Sequence, residues 1–402
     1  MRCITITVKI GSDQAKLITS NNEFALKCYN ILKSEDKNLF FSPFSISICL
    51  AMLYAGARGA TADQMGSTLH FKDQEGLDLS FEWIIKTLND PSRSQNFKLS
   101  IANALWMQEG YNIFPEYLKI VQNSYFGGLF GLDFKSDPEA ARSTINNWVA
   151  ERTEKKIKDL IKPEMVTTLT RLILTNAIYF FSNWEKQFKQ WSTSPAFFTM
   201  IDGQKVKIPL MNQKEVFIYI EMPDYQALEL PYLGNDLSMV IFLPKKIDGI
   251  AEMEESMTLE SLTSWINPKW YQEVVVSIPK FKFIFEFKLT EILKEMGMID
   301  AFDLDKADFT GITPKNPNPV LNLYISDVIH KTFIDVNEEG TEAAAATAAL
   351  ATLGAAPSEP APIFKADHPF LFLIRDVKTN SILFLGRIMD PRSEYSPKTD
   401  VT

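Results

Sequence analysis

The sequence predicts one large α+β unit, and three observations carry that prediction. A chain of 402 residues has room for two or three domains. Yet no Pro-, Gly- or Ser-rich boundary interrupts its first three hundred residues, and no internal repeat is present. Its composition, 46% hydrophobic and 23% charged, is that of an ordinary globular protein. Helical and strand patterns occur along the same chain: helical stretches at 17–33, from 43 onward and at 139–160, and strand runs at 172–181, 197–244, 274–289, 329–336 and 369–374.

Taken in order, residues 17–33 form an amphipathic pattern in which Ser20 and Glu23 have capping-box spacing, which predicts a helix start at Ser20. In Asn38-Leu39-Phe40-Phe41-Ser42-Pro43-Phe44-Ser45 the apolar-Ser-Pro junction ends an extended segment and starts a helix at the proline. Asp137-Pro138 supplies a cap and first turn for the helix over 139–160. Residues 172–181 are too uniformly apolar for a surface strand and belong in the middle of a covered sheet. Asn176 within that run has to be hydrogen-bonded, since burying it unpaired costs about 1–3 kcal/mol. Turns at Asp202-Gly203, Pro223-Asp224 and Gly234-Asn235-Asp236 divide 197–244 into hairpins. Over 274–289, Phe281, Phe283, Phe285 and Phe287 alternate as in a strand.

The stretch from Asn337 to Leu350, Asn-Glu-Glu-Gly-Thr-Glu-Ala-Ala-Ala-Ala-Thr-Ala-Ala-Leu, stands apart. Alanine favours helix, but strand-type runs flank this segment on both sides. With a period of two, Thr341, Ala343, Ala345, Thr347 and Ala349 share one face, and Glu342 falls on the other. Such a strand enters a packed sheet while demanding little side-chain volume. A low-complexity linker needs neither the Glu-Gly-Thr start nor matching strands before and after it.

No nucleotide-binding or hydrolase motif is present: there is no HExxH, GxSxG, Walker loop or GxGxxG, and only three histidines. An enzyme is therefore not expected, nor a cofactor or metal site. A net charge of −9 argues against nucleic acid and anionic membrane as partners. Three cysteines, Cys3, Cys28 and Cys49, lack CxxC spacing, and the latter two read as small buried hydrophobes. The amino terminus begins like a signal peptide, but Lys9 interrupts its apolar segment, and no Asn-x-Ser/Thr acceptor occurs.

Glu338-Glu339-Gly340-Thr341-Glu342-Ala343-Ala344-Ala345-Ala346 resembles the hinge of the reactive-centre loop of the serpins, the serine protease inhibitor superfamily. Residues 368–391, from His-Pro-Phe-Leu-Phe-Leu-Ile-Arg-Asp to Leu-Gly-Arg-Ile-Met-Asp-Pro, resemble the carboxy-terminal signature of that family. The resemblance spans 17–391 as one domain, with 337–362 as hinge and loop, and leaves 1–16 as an extension and 392–402 as a tail. It implies a large mixed central sheet, two further sheets, eight to nine helices and an exposed loop. It also places Ser42, Ser45, Asn176 and His330 in a buried shutter beneath the main sheet. Trp184 and Lys280 fall at the breach where a strand enters, with Lys280 paired to Glu338. Heparin-binding members carry a basic stripe where this chain reads Phe71-Lys72-Asp73-Gln74-Glu75, which argues against heparin.

The function implied is suicide inhibition of a serine protease by a monomeric, extracellular protein, with the cytoplasm as the alternative compartment. Every inward hinge position through Thr347 is small, whereas non-inhibitory members tend to carry bulky, charged or proline residues there. A binding, carrier or chaperone role is the alternative. No Lys or Arg lies between Thr332 and Phe364, so trypsin-like targets have nothing to grip. Chymotrypsin-, elastase- and subtilisin-like pockets accept the Leu and Ala that remain. The family's spacing from Glu338 reaches Gly354. A glycine fills no pocket, so Leu353–Gly354 is the expected reactive bond, with Leu350 and Ala351 as alternatives.

Overall fold

A computed structural model of the chain describes residues 10–33, 36–72, 74–93, 95–266, 270–315, 322–341 and 360–392. Among these, the helices are α1 (Ser12–Leu32), α2 (Pro43–Tyr54), α3 (Gly59–Thr68), α4 (Leu77–Leu88), α5 (Pro115–Ser124), α6 (Pro138–Arg152), α7 (Ile250–Ser256), α8 (Leu259–Ile266) and α9 (Thr290–Glu295). The first strands are β1 (Leu39–Phe41), β2 (Phe97–Gln108), β3 (Gly128–Leu132), β4 (Leu172–Asn183), β5 (Ser194–Thr199), β6 (Lys205–Glu221), β7 (Tyr225–Pro231) and β8 (Leu237–Pro244). They are followed by β9 (Tyr271–Pro279), β10 (Phe281–Lys288), β11 (Asp327–Val336), β12 (Gly340–Thr341), β13 (Ile363–Lys365), β14 (Phe370–Asp376) and β15 (Ile382–Ile388).

Six strands form a mixed sheet in the order β10-β11-β12-β4-β2-β3. The pairs β2–β3 and β4–β11 are parallel and the others antiparallel. The other nine strands form a second sheet. The two smaller sheets that the resemblance implies are hydrogen-bonded into this one array by the 17-residue strand β6, which pairs with β5, β9 and β7 along its length. Hairpin turns fall at all three predicted sites, with Gly203, Gly234 and Asn235 at positive φ.

Strand β4 shows why 172–181 is apolar throughout. Leu172, Leu174, Ile178 and Phe180 point into the main core, together with α2 and the nine-stranded sheet. Ile173, Ala177 and Tyr179 point the other way, into a second core closed by Ala141, Ile145 and Val149 of α6. A strand covered on both faces has no polar side.

Two helix boundaries differ from the sequence expectation. Helix α1 begins at Ser12, five residues before the start of the predicted helical stretch at 17. Ser20 lies inside it, and its hydroxyl donates to the His70 carbonyl, while Glu23 pairs with His70 instead of closing a cap. Helix α6 opens as expected on the Asp137 cap and Pro138 but ends at Arg152, eight residues early. There Glu154 and Lys155 take positive φ, and the Thr153 hydroxyl donates to the Val149 carbonyl. The returning segment is pinned where both amide atoms of Asn146 bond the backbone of Ile161.

Candidate functional site: a strand seam and its hinge

The seam between β4 and β11 has two different halves. In the lower half the strands pair directly and in parallel, from Asp327↔Ile173 to Phe333↔Tyr179. In the upper half β12 lies between them, with Gly340 opposite Asn183, and Thr341 opposite both Ser182 and Val336. The strands are therefore about 4.8 Å apart below and about twice that above.

A polar cluster underlies the lower half. Phe41 ends β1, and Ser42 caps α2: its hydroxyl accepts from the Ser45 N–H at 3.1 Å and donates to the Leu383 carbonyl at 2.7 Å. The Ser42 N–H, free at the helix start, donates to His330 Nε2 at 3.1 Å. That leaves the histidine proton on Nδ1, which bonds Asn176 Oδ1. The Asn176 amide donates to Ser45 Oγ at 2.6 Å and to Asn103 Oδ1. Asn103 Nδ2 returns to the Ser45 carbonyl at 3.1 Å. Ser42, Ser45, Asn176 and His330 thus meet in one place, all fully buried. Burial pushes the His330 pKa down from 6.5 to about 3, outweighing the opposing effect of Asn176. A neutral ring is also what the geometry requires, since protonating Nε2 would leave the Ser42 N–H without an acceptor.

Asn103 was not anticipated, although it carries the same signal as Asn176: a lone asparagine in an apolar strand, β2, which pairs it directly with Asn176. Neighbouring groups tighten the same region. The Thr332 hydroxyl donates to the Phe40 carbonyl at 3.0 Å, and the Trp106 indole to Thr175 Oγ1 at 2.8 Å.

Trp184 holds the upper half. Its indole N–H donates to the Asn337 carbonyl at 3.0 Å and its backbone N–H to the Glu339 carbonyl at 2.8 Å. Phe188 N–H takes the Glu338 carbonyl at 2.9 Å. Trp184 stacks on Tyr232 at 4.6 Å, and the Tyr232 hydroxyl bonds Thr341 Oγ1 at 2.9 Å. Thr341 is buried on the main-core side. Gly340 permits this approach, because a Cβ there would lie 2.1 Å from the Ser182 carbonyl oxygen.

Lys280, the single residue between β9 and β10, reaches Glu338 at 2.7 Å. The glutamate side chain is only 8% exposed, so the pair is less solvated than an ordinary surface ion pair. Burial opposes the charge of Glu338, but hydrogen bonds from Lys280 and Thr193 outweigh it and hold the carboxyl below its usual range. Glu339 and Gly340 continue the hinge from there. Glu342, Ala343, Ala344, Ala345, Ala346 and Thr347, and the bond residues Leu350, Ala351, Leu353 and Gly354, lie outside the described residues.

Cys28 and Cys49 are free and buried, and burial pushes both thiols well up. Among the described residues no His/Cys/Asp/Glu group is arranged to hold a metal, and no helix is long and apolar enough to cross a membrane.

The serpin family model, described as serine protease inhibitor, matches residues 19–391. The human leukocyte elastase inhibitor is 41% identical over 386 residues, covering 94% of this chain and 100% of that protein. An uncharacterized serpin-like protein of Thermococcus kodakarensis is 42% identical over 378 residues, covering 94% and 86%. Among solved structures, uncleaved ovalbumin superposes with a TM-score of 0.84 at 30% identity, covering 94% of this chain and 100% of that one. The thermophilic serpin tengpin in its native state gives 0.83 at 31%, covering 95% of each. The chain belongs to the serpin family and has the serpin fold.

Proposed function

We propose that the protein is a suicide inhibitor of serine proteases of the chymotrypsin, elastase or subtilisin type. The protease attacks the loop and forms an acyl-enzyme through its own serine. The freed hinge then extends β12 down the seam, and the attached protease is carried to the far pole and distorted before water can deacylate it. Such strand addition draws its energy from main-chain hydrogen bonds to the neighbouring strands. Each step of two residues along the hinge moves two residues back along β4 and β11, starting from Thr341 opposite Ser182 and Val336. Continued insertion brings Ala343 opposite Phe180, Ala345 opposite Ile178, and Thr347 opposite Asn176 and His330. One parallel pairing is replaced by two antiparallel ones, which are the stabler kind per residue.

The observation that carries this reading is Thr341 seated in the seam, at the head of a series whose later inward members are all Ala or Thr. Nothing in that series obstructs entry. The 41% identity to a protein named leukocyte elastase inhibitor supports the Leu- or Ala-directed specificity read from the loop. We assign the reactive bond to Leu353–Gly354, the gate to the Ser42, Ser45, Asn176 and His330 cluster, and the entry point to Trp184 and Lys280. The site of action is extracellular in this reading, with the cytoplasm as the alternative, and the protein acts as a monomer.

Mixing the protein with chymotrypsin and with pancreatic elastase, followed by denaturing gels and mass spectrometry, tests the proposal. A complex resistant to SDS and a released fragment beginning at Gly354 are expected. Cleavage by both enzymes with no complex, and no rise in the melting temperature of the cleaved form, would reject insertion. Leu353→Arg should shift preference toward trypsin; no gain there would move the bond elsewhere.

A further inference from the structure

At the lower end of the six-stranded sheet, β2 and β4 diverge. Their last paired residues are Met107 and Leu172, and one further bond runs from the Gln108 N–H to the Arg171 carbonyl at 2.9 Å. Beyond it the Glu109 N–H turns to the Leu132 carbonyl at 3.0 Å, so the chain leaving β2 follows β3. Gly110, at φ 97°, completes the turn on that side. The chain entering β4 is drawn the other way, because the Arg171 N–H donates to Ser326 Oγ at 3.0 Å. Between the two chains lies a cavity of about 490 Å³, within the roughly 300–1,000 Å³ typical of small-molecule sites.

Its wall carries a cation with an unused edge. Arg171 Nη1 donates to the carbonyls of Thr168 at 3.2 Å and Thr170 at 3.1 Å, which fixes the guanidinium against the turn at 167–170. That turn is closed in its own right, by the Thr170 N–H on the Thr167 carbonyl and the Thr167 N–H on Thr170 Oγ1. Arg171 Nε is buried with no hydrogen-bond partner, and Nη2 makes no bond among the described residues. Buried donors are almost always satisfied, so this one calls for an acceptor that the chain itself does not supply. Nε and Nη2 lie on one side of the planar guanidinium and donate in parallel. That fork is the one a carboxylate accepts with both oxygens.

The rest of the lining sets the rest of the ligand. Lys135 adds a second cation, exposed and without an ion pair among the described residues, and its N–H is held by Gln108 Oε1 at 3.0 Å. Glu109 supplies the opposing carboxylate, with its Cγ 3.4 Å from where a Cβ on Gly131 of β3 would stand. Asp133, beside the rim, is occupied by the Gln108 amide and the Ser136 N–H. Two cations against one carboxylate in the lining favour a ligand with a single negative charge. Leu169 is 68% exposed, its carbonyl fixed by the Tyr324 hydroxyl at 3.1 Å, and with Tyr111 it gives the cavity apolar surface. Apolar walls with a few placed polar groups are the usual make-up of a small-molecule site.

We propose that this cavity binds a small organic monocarboxylate with an aryl or alkyl body. The carboxylate sits on the Nε–Nη2 edge of Arg171 with Lys135 as the second charge, and the body lies against Leu169 and Tyr111. None of these residues belongs to the hinge, the loop or the polar cluster under the seam, so the site stands apart from protease inhibition. A bound ligand bridges the chain leaving β2 and the chain entering β4, and stabilises the intact fold by mass action.

Isothermal titration of the full-length protein with 2-naphthoate and with octanoate tests the site. At least one of them should bind with a Kd of about 1 mM or tighter. Its neutral counterpart, 2-naphthalenemethanol or octanol, should bind roughly tenfold more weakly. Arg171→Lys keeps the charge but lacks the fork, and should weaken carboxylate binding by roughly tenfold at an unchanged melting temperature. Should that variant unfold, Leu169→Glu and Lys135→Ala, both at exposed positions, take its place. The first puts a second carboxylate in the lining and should abolish binding, and the second should weaken it. No binding of either carboxylate would overturn the proposal. So would equal binding of the neutral counterpart, or unchanged affinity in the Leu169→Glu variant, since either outcome would mean apolar association elsewhere on the surface.

Discussion

The lower and upper halves of the β4–β11 seam are built on opposite principles. Below, closure is specified by polar atoms: the side chains of Asn176 and His330 bond each other and the Ser42 cap of α2, Ser45 of α2 and Asn103 of β2. Above, the sheet is already open by one strand, and the wedge is held by backbone bonds to Trp184 and Phe188 and by one hydroxyl pair. Separating the lower half by a further strand spacing of about 4.8 Å breaks a satisfied network before any new strand bond forms. In the proposed mechanism, the upper half would set where insertion starts and the lower half the barrier it meets.

The largest effect should come from spoiling the wedge. Thr341→Arg places a charge at a position that is 1% exposed. Complex with the target protease should fall more than tenfold while loop cleavage persists, as read by the ratio of complex to cleaved inhibitor on denaturing gels. Undiminished trapping would show that Thr341 need not enter the sheet.

Unlocking the lower half comes next. Asn176→Ala strands His330 Nδ1 and Asn103 Oδ1 in a buried site and should lower stability by about 3 kcal/mol, measured by denaturant unfolding. An effect within about 0.5 kcal/mol would mean that the cluster does not hold the strands.

Acid probes the same half without mutation. His330 stays neutral in the folded state down to about pH 3, whereas in the unfolded chain it takes a proton near 6.5. The unfolded state therefore binds more protons between those values, and stability falls as pH is lowered through that window. The contribution is about 1.4 kcal/mol per pH unit, fully expressed only below the lower value. Comparing His330→Gln with the parent protein from pH 7 to pH 4 isolates it, and the variant should show the shallower acid dependence.

The smallest effect joins the two halves. By register, an inserted Thr347 arrives between Asn176 and His330 and can replace the contact that insertion breaks. Thr347→Val should leave the melting temperature of the intact protein unchanged and lower that of the cleaved form by a few degrees. Equal melting temperatures in the cleaved forms would place another residue at that level.

Local chemistry made much of this readable in the sequence. The Ser42-Pro43 junction announces both a strand end and a capped helix. A lone asparagine in an all-apolar strand demands partners. What was hidden depends on tertiary placement. Nothing within 197–244 indicates that Tyr232 meets Thr341, 109 positions away. The early end of α6 follows from positive φ at Glu154 and Lys155, residues whose helix propensity gives no warning. Ser20 and Glu23 imitate a cap because Ser, x, x, Glu also suits a serine that bonds outward to His70 from inside a helix. Lys280 was matched to Glu338 by resemblance, but the burial of the glutamate became visible only with β9 and β10 meeting at that lysine.

Cys49 gives the seam a chemical clock. Its thiol lies in α2 directly under β4, 3.8 Å from the Thr175 carbonyl, and burial keeps it protonated and unreactive. A thiol reagent can modify it only at the rate at which strand and helix part. Cys28, on α1 against Met296, reports on a different part of the core in the same sample. In a protein with Cys3 replaced by serine, the ratio of the two labelling rates measures how often the lower seam opens on its own, with no protease present.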